Sequence, residues 1–501
     1  MNVAVIGAGL AGSECAWILA EHYQLSVTLY EMKTRKTTPA QISPHLFAEL
    51  VCSNSLKSKS RLNPAGTLKA ELEKLGSLIL PAARNAEVPA GETLAVDREL
   101  FSSEITQKLR NHKNIEIIEK VVESVDEINL FKDFNAIVIA TGPLTDDALA
   151  ESLRKLTKSD QLYFYDAIAP ILDGDSVNYD VAFYANRQSK TSLYEKKLVQ
   201  NKEKLAELPD ISNATLAYEK LTGLPDVSNA DEDGDYLNLP FNKEEYFAFV
   251  EKVLLGEKVP HKNFEEPKYF NGCQPIEVLA ESGPRTLSFG PMKPKGLLNP
   301  KTGKMPYAVV QLRKESLGDN AWNMVGFQTR LTWKAQKEIF STIPGLENVE
   351  FFRLGSMHRN TYLVSPSVLN EDFSLKENNK IYLAGQIMGV EGYLESTAMG
   401  CFIGHLIGFK LTKQKTLSLP PANTSLGCLA RFCIYSEPKK FTPMNIHWGL
   451  FNELSKDDIE KYSNNSEKVL KMKKIDKSTK REMLASRSEE LFNDWWNKEF
   501  N

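Results

Sequence analysis

Two groups of residues in this chain have types and spacings that could do chemistry. At the N-terminus, Val3-Ala4-Val5-Ile6 runs into Gly7, Gly9 and Gly12 at the G-x-G-x-x-G spacing, and Glu31 closes the next apolar run, Leu25 to Tyr30. Gly7 permits a tight turn, Gly9 lets backbone approach a pyrophosphate, and Gly12 lets the following helix pack closely on a sheet. Glu31 stands about twenty residues past the turn, where a carboxylate accepts the ribose hydroxyls of an adenosine. The second group is late: Lys380 to Gln386 reads as a strand ending at Gly385 and Gln386, followed by Gly389, Gly392, Tyr393 and a small-residue helix from Leu394 to Gly408. A strand that ends in a glycine turn and opens a helix meets a cofactor with free N–H groups. This pairing of two such elements favours FAD over NAD as the resident dinucleotide.

Positioning these residues requires a doubly wound sheet. Ile115 to Ile118 and Ala136 to Ala140 read as further strands, the second ending in Thr141-Gly142-Pro143, and ligands lie at that carboxyl edge in such sheets. The expected fold class is α/β: a Rossmann-type FAD-binding domain from 1–160 plus 350–420, an inserted mixed α/β domain at 161–349, and a C-terminal helical extension at 421–501. Apolar alternation around Ala308-Leu312 and Trp322-Phe327 suggests antiparallel strands in the insertion. Leu193 to Glu219 is charged and helix-prone, and reads as a solvated insertion.

At 501 residues and 42% apolar, the chain can bury more than one core. A net charge of −4 gives no global attraction to nucleic acid. The six cysteines lack metal-type or paired spacing, so neither a metal site nor a disulfide framework is expected. With no apolar run near the ~20 residues of a membrane span and a core strand at the start, a cytoplasmic protein without membrane contact is expected.

The ordered combination GAGLAGSE, ELVCSNSL, VPAGETLAVDR, TGPLTDDAL, GCQPIEVLA, FGPMKPKGL, VGFQTRLTW and GQIMGVEGYLES resembles the FAD- and folate-dependent tRNA (uracil-5-)-methyltransferases, the TrmFO family, from residue 1 to about residue 450. The resemblance implies a flavoprotein that moves the methylene of 5,10-methylenetetrahydrofolate to C5 of a uridine in tRNA or rRNA, with NAD(P)H as reductant and no metal. It also implies that Cys52, in ELVCSNSL, takes the C5 proton. Read alone, Cys52 equally suits a packing thiol.

The family's nucleophilic cysteine sits in a YLNCPM-like motif. Here that segment is Tyr236-Leu237-Asn238-Leu239-Pro240-Phe241, with Leu239 at the nucleophile's position. An isobutyl group cannot add to C6 of uracil. This departure leaves open a methylenetetrahydrofolate-dependent FAD oxidoreductase that no longer methylates RNA, and a flavoprotein that binds RNA without turnover. Milder departures are Glu92, Met388 and the loop Asn186 to Lys190. Resemblance further suggests Arg285, Lys293, His358, Arg359 and Asn360 as folate contacts. The basic run Lys468 to Arg481 is the one local hint of an RNA contact.

Overall fold

The computed structural model describes residues 1–501 except 39, 40, 42, 130–132, 159–161, 188–233, 260–273, 316–319, 464–474 and 501. The Leu193–Glu219 insertion, Cys273 and residues 468–474 of the basic run lie outside the described residues. The chain forms two compact units, one of residues 1–87, 93–165 and 359–501, the other of residues 88–92 and 166–358. The segment from 421 onward belongs to the first unit.

In the first unit, β1 (Asn2–Ile6) enters α1 (Leu10–Trp17), followed by β2 (Ser26–Glu31), α2 (Pro64–Lys74), α3 (Arg98–Arg110), β3 (Ile115–Glu119) and β4 (Ala136–Ile139). The later elements are β5 (Ser374–Leu375), β6 (Asn378–Leu383), α4 (Tyr393–Gly408), α5 (Ser425–Tyr435) and α6 (Lys477–Phe500). The sheet order is β5-β6-β4-β1-β2-β3, parallel except for β5. Val3, Ala4, Val5 and Ile6 are all buried, as a central parallel strand covered on both faces demands. From β1 the chain winds outward to β2 and β3, while β4 and β6 lie on the other side, so a crevice opens beyond the carboxyl ends of β1 and β4.

α1 lies against α4 through small residues. A Cβ at Gly400 would stand 2.2 Å from the Ala11 carbonyl oxygen, so the two backbones approach as only glycine permits. The C-terminal helices are tied back by a buried acid. Glu71 of α2 accepts from the Ser425 and Leu426 N–H groups at 2.9 and 2.7 Å, satisfying the first turn of α5, and from the Ser488 hydroxyl of α6 at 3.1 Å.

The second unit carries a six-stranded sheet ordered Phe183–Tyr184, Tyr236–Phe241, Ala308–Lys314, Ala321–Met324, Ile171–Asp173, Phe351–Arg353. Its described pairings are antiparallel, as the alternation at 308–312 and 322–327 suggests. Leu237, Leu239 and Phe241 alternate into its apolar core. The short 88–92 segment belongs here because the Gly91 N–H donates to Asp235 at 2.6 Å and the Tyr236 hydroxyl to the Ala90 carbonyl at 3.2 Å.

Burial pushes the Glu71 carboxyl up from its ordinary 4.5 to about 7. The folded chain thus keeps a proton that the unfolded chain has released, so this group's stabilisation is full below about pH 4.5 and is lost as pH rises toward about 7. Glu71→Gln cannot ionise. Urea unfolding at a series of pH values should show wild type losing up to ~3 kcal/mol relative to this variant across that window. A pH-independent difference would show that Glu71 does not titrate there.

Candidate functional site

The crevice at the ends of β1 and β4 is a cleft with about 990 Å³ of empty space, its open mouth included. Its floor is Ile6, Gly7, Ala8 and Gly9, and its walls include Glu31, Val51, Thr141, Gly142, Gln386, Tyr393 and Ser396. Gly7 has φ +99°, and a Cβ there would sit 2.7 Å from the Ala140 carbonyl oxygen. Gly12 lies outside the cleft and abuts the turn, where a Cβ would come within 1.8 Å of the Gly7 carbonyl oxygen. Gly9 and Gly142 behave differently, because a Cβ at either would meet nothing within 4 Å. Two glycines therefore close the backbone on itself, while two leave space beside it.

Glu31 staples this turn. One carboxylate oxygen accepts from the Ala8 N–H at 2.7 Å, and the other from the Met32 and Lys33 N–H groups at 2.8 and 2.9 Å. A carboxylate has about four acceptor positions, so one remains for a ligand hydroxyl. At the two helix starts, neither Gly9 before α1 nor Gly392 before α4 supplies a side-chain cap. Both ends offer N–H groups and the positive pole of a helix dipole.

Of the sequence-derived candidates, Gly7, Gly9, Glu31, Gly142, Gln386 and Tyr393 line the cleft. Gly385 packs against Ala11, with a Cβ position 2.6 Å from the Ala11 side chain. Gly389 faces the Phe441 ring, and Gly392 faces Glu395 and Lys57. These three shape the turn from β6 into α4. Met388 is fully buried and Glu92 exposed.

Cys52 is half-buried in an irregular segment next to Val51, which lines the cleft. Its backbone N–H donates to the Tyr393 hydroxyl oxygen at 2.6 Å, and its carbonyl accepts from Arg98 at 3.2 Å. Neither partner is legible from local spacing. The one signal was the VDR run itself, in which Asp97 caps α3 by accepting from the Glu99 and Leu100 N–H groups, both at 3.1 Å, and thereby sets Arg98 at the helix start. Burial pushes the Tyr393 phenol well above its ordinary value, so it remains protonated.

Leu239 lies in the second unit, fully buried opposite Val310, with its Cδ2 2.9 Å from where Gly345 would carry a Cβ. The next residue toward the N-terminus, Asn238, donates to the Phe183, Ala185 and Tyr236 carbonyls and accepts from Gln311. Leu239 thus sits on a strand fixed from both faces. Arg285 and Lys293 are exposed in the second unit, while Asn360 is buried in the first. The side chains of His358 and Arg359 lie outside the described residues. From the basic run, Lys477, Lys480 and Arg481 open α6, and Lys480 pairs with Glu453 at 2.6 Å. Among the described residues no helix is long and apolar enough to cross a membrane, and no cluster of three metal-type ligands occurs.

A parallel sheet with a glycine turn, an acidic staple and two uncapped helix ends converging on one cleft defines a Rossmann-type dinucleotide-binding protein. A family model described as Glucose inhibited division protein A matches residues 2–217 and 206–415. The chain is 45% identical to the methylenetetrahydrofolate–tRNA-(uracil-5-)-methyltransferase TrmFO of Natranaerobius thermophilus, over 94% of this chain and 98% of that protein. It is 44% identical to the protein of that name from Geotalea uraniireducens, over 99% of both chains. Aquifex aeolicus GidA shares the fold, with a TM-score of 0.61 at 15% identity over 99% of this chain and 75% of that one. The chain belongs to the TrmFO family.

The two kinds of glycine give opposite expectations. Gly12→Ala should lower the melting temperature by several degrees, since backbone must move to admit the methyl group. Gly9→Ala should melt within a degree or two of wild type yet retain less flavin, read from the absorbance of the purified protein. Equal flavin retention by Gly9→Ala and wild type would remove Gly9 from the cofactor contact.

Proposed function

We propose that this protein transfers the one-carbon unit of 5,10-methylenetetrahydrofolate to C5 of a uridine in tRNA and reduces it to methyl, with FAD as resident cofactor and NAD(P)H as reductant. The observation that carries this reading is the 45% identity to a TrmFO methyltransferase over nearly the whole of both chains. The cleft suits the cofactor. Gly7, Gly9 and the start of α1 would hold its pyrophosphate, with Gly12 letting that helix pack close to the turn, the unfilled acceptor position of Glu31 would hold a ribose hydroxyl, and Gly142, Gln386 and Tyr393 would meet its flavin end. Gly385, Gly389 and Gly392 hold the turn that brings Gln386 and Tyr393 there. When bound, the flavin supplies electron transfer between the nicotinamide and the folate carbon.

This chain's own contribution is to exclude water and to hold a thiol. β1, β4 and α4 bury the residues behind the cleft, and Cys52, next to the cleft-lining Val51, is the group that would take the C5 proton. Leu239 favours a second reading, a folate-dependent flavin oxidoreductase that leaves RNA unmodified, because its side chain offers no nucleophile for C6.

Anaerobic protein reduced with NADH or NADPH, then given methylenetetrahydrofolate and unmodified tRNA transcript, should yield 5-methyluridine by nucleoside analysis. Cys52→Ala should abolish it. Reoxidation of the flavin by folate with unmodified tRNA would overturn the methyltransferase reading and leave the oxidoreductase.

A further inference from the structure

The placement of Cys52 depends on side chains drawn from two helix starts. In a helix or strand, a residue's N–H and C=O are committed to a ladder of backbone bonds. Leu50 to Asn54 belongs to neither. Instead the Tyr393 hydroxyl oxygen accepts from two successive amides, Cys52 at 2.6 Å and Ser53 at 3.2 Å. The Arg98 guanidinium forks onto two carbonyls, Leu50 at 2.6 Å and Cys52 at 3.2 Å. Both backbone polar groups of Cys52 are therefore held by side chains, one contributed by the first residue of α4 and one by the first residue of α3.

The segment is fastened again at its far end. Lys57 adopts φ +67°, a left-handed conformation costly for a side-chain-bearing residue, and its ammonium pairs with the fully buried carboxylate of Glu395, two residues beyond Tyr393. Glu395 also accepts from the Ile446 N–H at 2.9 Å, which fixes it in turn. The Tyr393 ring could fill its place on the cleft wall without a hydroxyl. A buried hydroxyl is costly unless bonded, and here it bonds the cysteine segment.

We propose that Tyr393 and Arg98 are positioning residues for Cys52, the phenol fixing its amide and the guanidinium its carbonyl, so that the start of the cofactor-facing helix dictates where the thiol stands. The proposal rests on Cys52 being the reactive thiol of the function given above. Because Tyr393 and Val51 both line the cleft, the wall that meets the cofactor and the backbone that carries the thiol are one connected piece. Small displacements of a reacting group carry large rate penalties, so such a connection matters more for turnover than for binding.

The test uses flavin-loaded protein. Tyr393→Phe keeps the ring and removes the acceptor, and Arg98→Gln removes the fork. Alkylation of Cys52 by iodoacetamide, located by peptide mass, should run several-fold faster in each variant, with buried Cys433 unlabelled as the internal control. Turnover should fall about tenfold in kcat while KM for folate stays within about twofold. Flavin content should match wild type, while the lost backbone hydrogen bonds lower the melting temperature by a few degrees. Wild-type alkylation rate and kcat in flavin-loaded Tyr393→Phe would overturn the proposal, and where that variant does not hold flavin, the same result in Arg98→Gln would do so. If wild type makes no 5-methyluridine, the function fails, yet the alkylation rates still decide whether these residues position Cys52.

Discussion

Everything in the first unit depends on how closely three strand ends can converge at one turn. The Gly7 N–H donates to the Tyr30 carbonyl of β2 at 2.8 Å, while Gly7 itself sits against Ala140 at the end of β4. α1 then starts against the turn's own carbonyl, with Gly12 as the residue that makes room. Glu31 holds the arrangement from the β2 side. No side chain fits between these backbones, and so the cleft has a floor of main-chain atoms rather than of side chains. A floor of that kind suits a ligand recognised through phosphates and hydroxyls, because N–H groups cannot rearrange once the sheet is formed.

The second unit is built on different physics. Its sheet is antiparallel, and its core grows from alternation, with Leu237, Leu239 and Phe241 on one face and Asn238 on the other. Leu239 belongs to the regular part of that pattern. An apolar residue there satisfies the packing of the strand, and Gly345 leaves the space its branched end needs. Leu239 is thus, for the folding of this unit, an ordinary core residue.

The fold was readable where its determinants are local. The G-x-G-x-x-G spacing, the apolar run of β1 and the glycines ahead of α4 each specify backbone geometry within a dozen residues; the strands expected at 115–118 and 136–140 form at 115–119 and 136–139, while the one expected at 380–386 runs over 378–383 and gives way to a 3-10 turn at Gly385–Met388. The site was readable as far as those elements reach: Gly7, Gly9, Glu31, Gly142, Gln386 and Tyr393 share one cleft. What spacing could not supply were side chains that act on distant backbone. Tyr393 meets Cys52 across 341 positions, and Glu71 meets Leu426 across 355. A tyrosine at a helix start and a glutamate on a helix face have no sequence signature for such roles, since their partners are backbone groups that every residue possesses.

The small-residue contact between α1 and α4 also sets the order in which the chain can acquire its structure during synthesis. α1 ends at Trp17, yet the helix that covers it begins at Tyr393, and β6, the outer neighbour of β4, begins at Asn378. Residues 166–358 are translated in between and hold their own core. At ~5–20 residues per second the first strands therefore wait some tens of seconds on the ribosome with apolar surface uncovered, while the inserted unit has already closed. The dinucleotide cleft, whose glycine fingerprint is made long before α4, becomes a cleft only once α4 has followed.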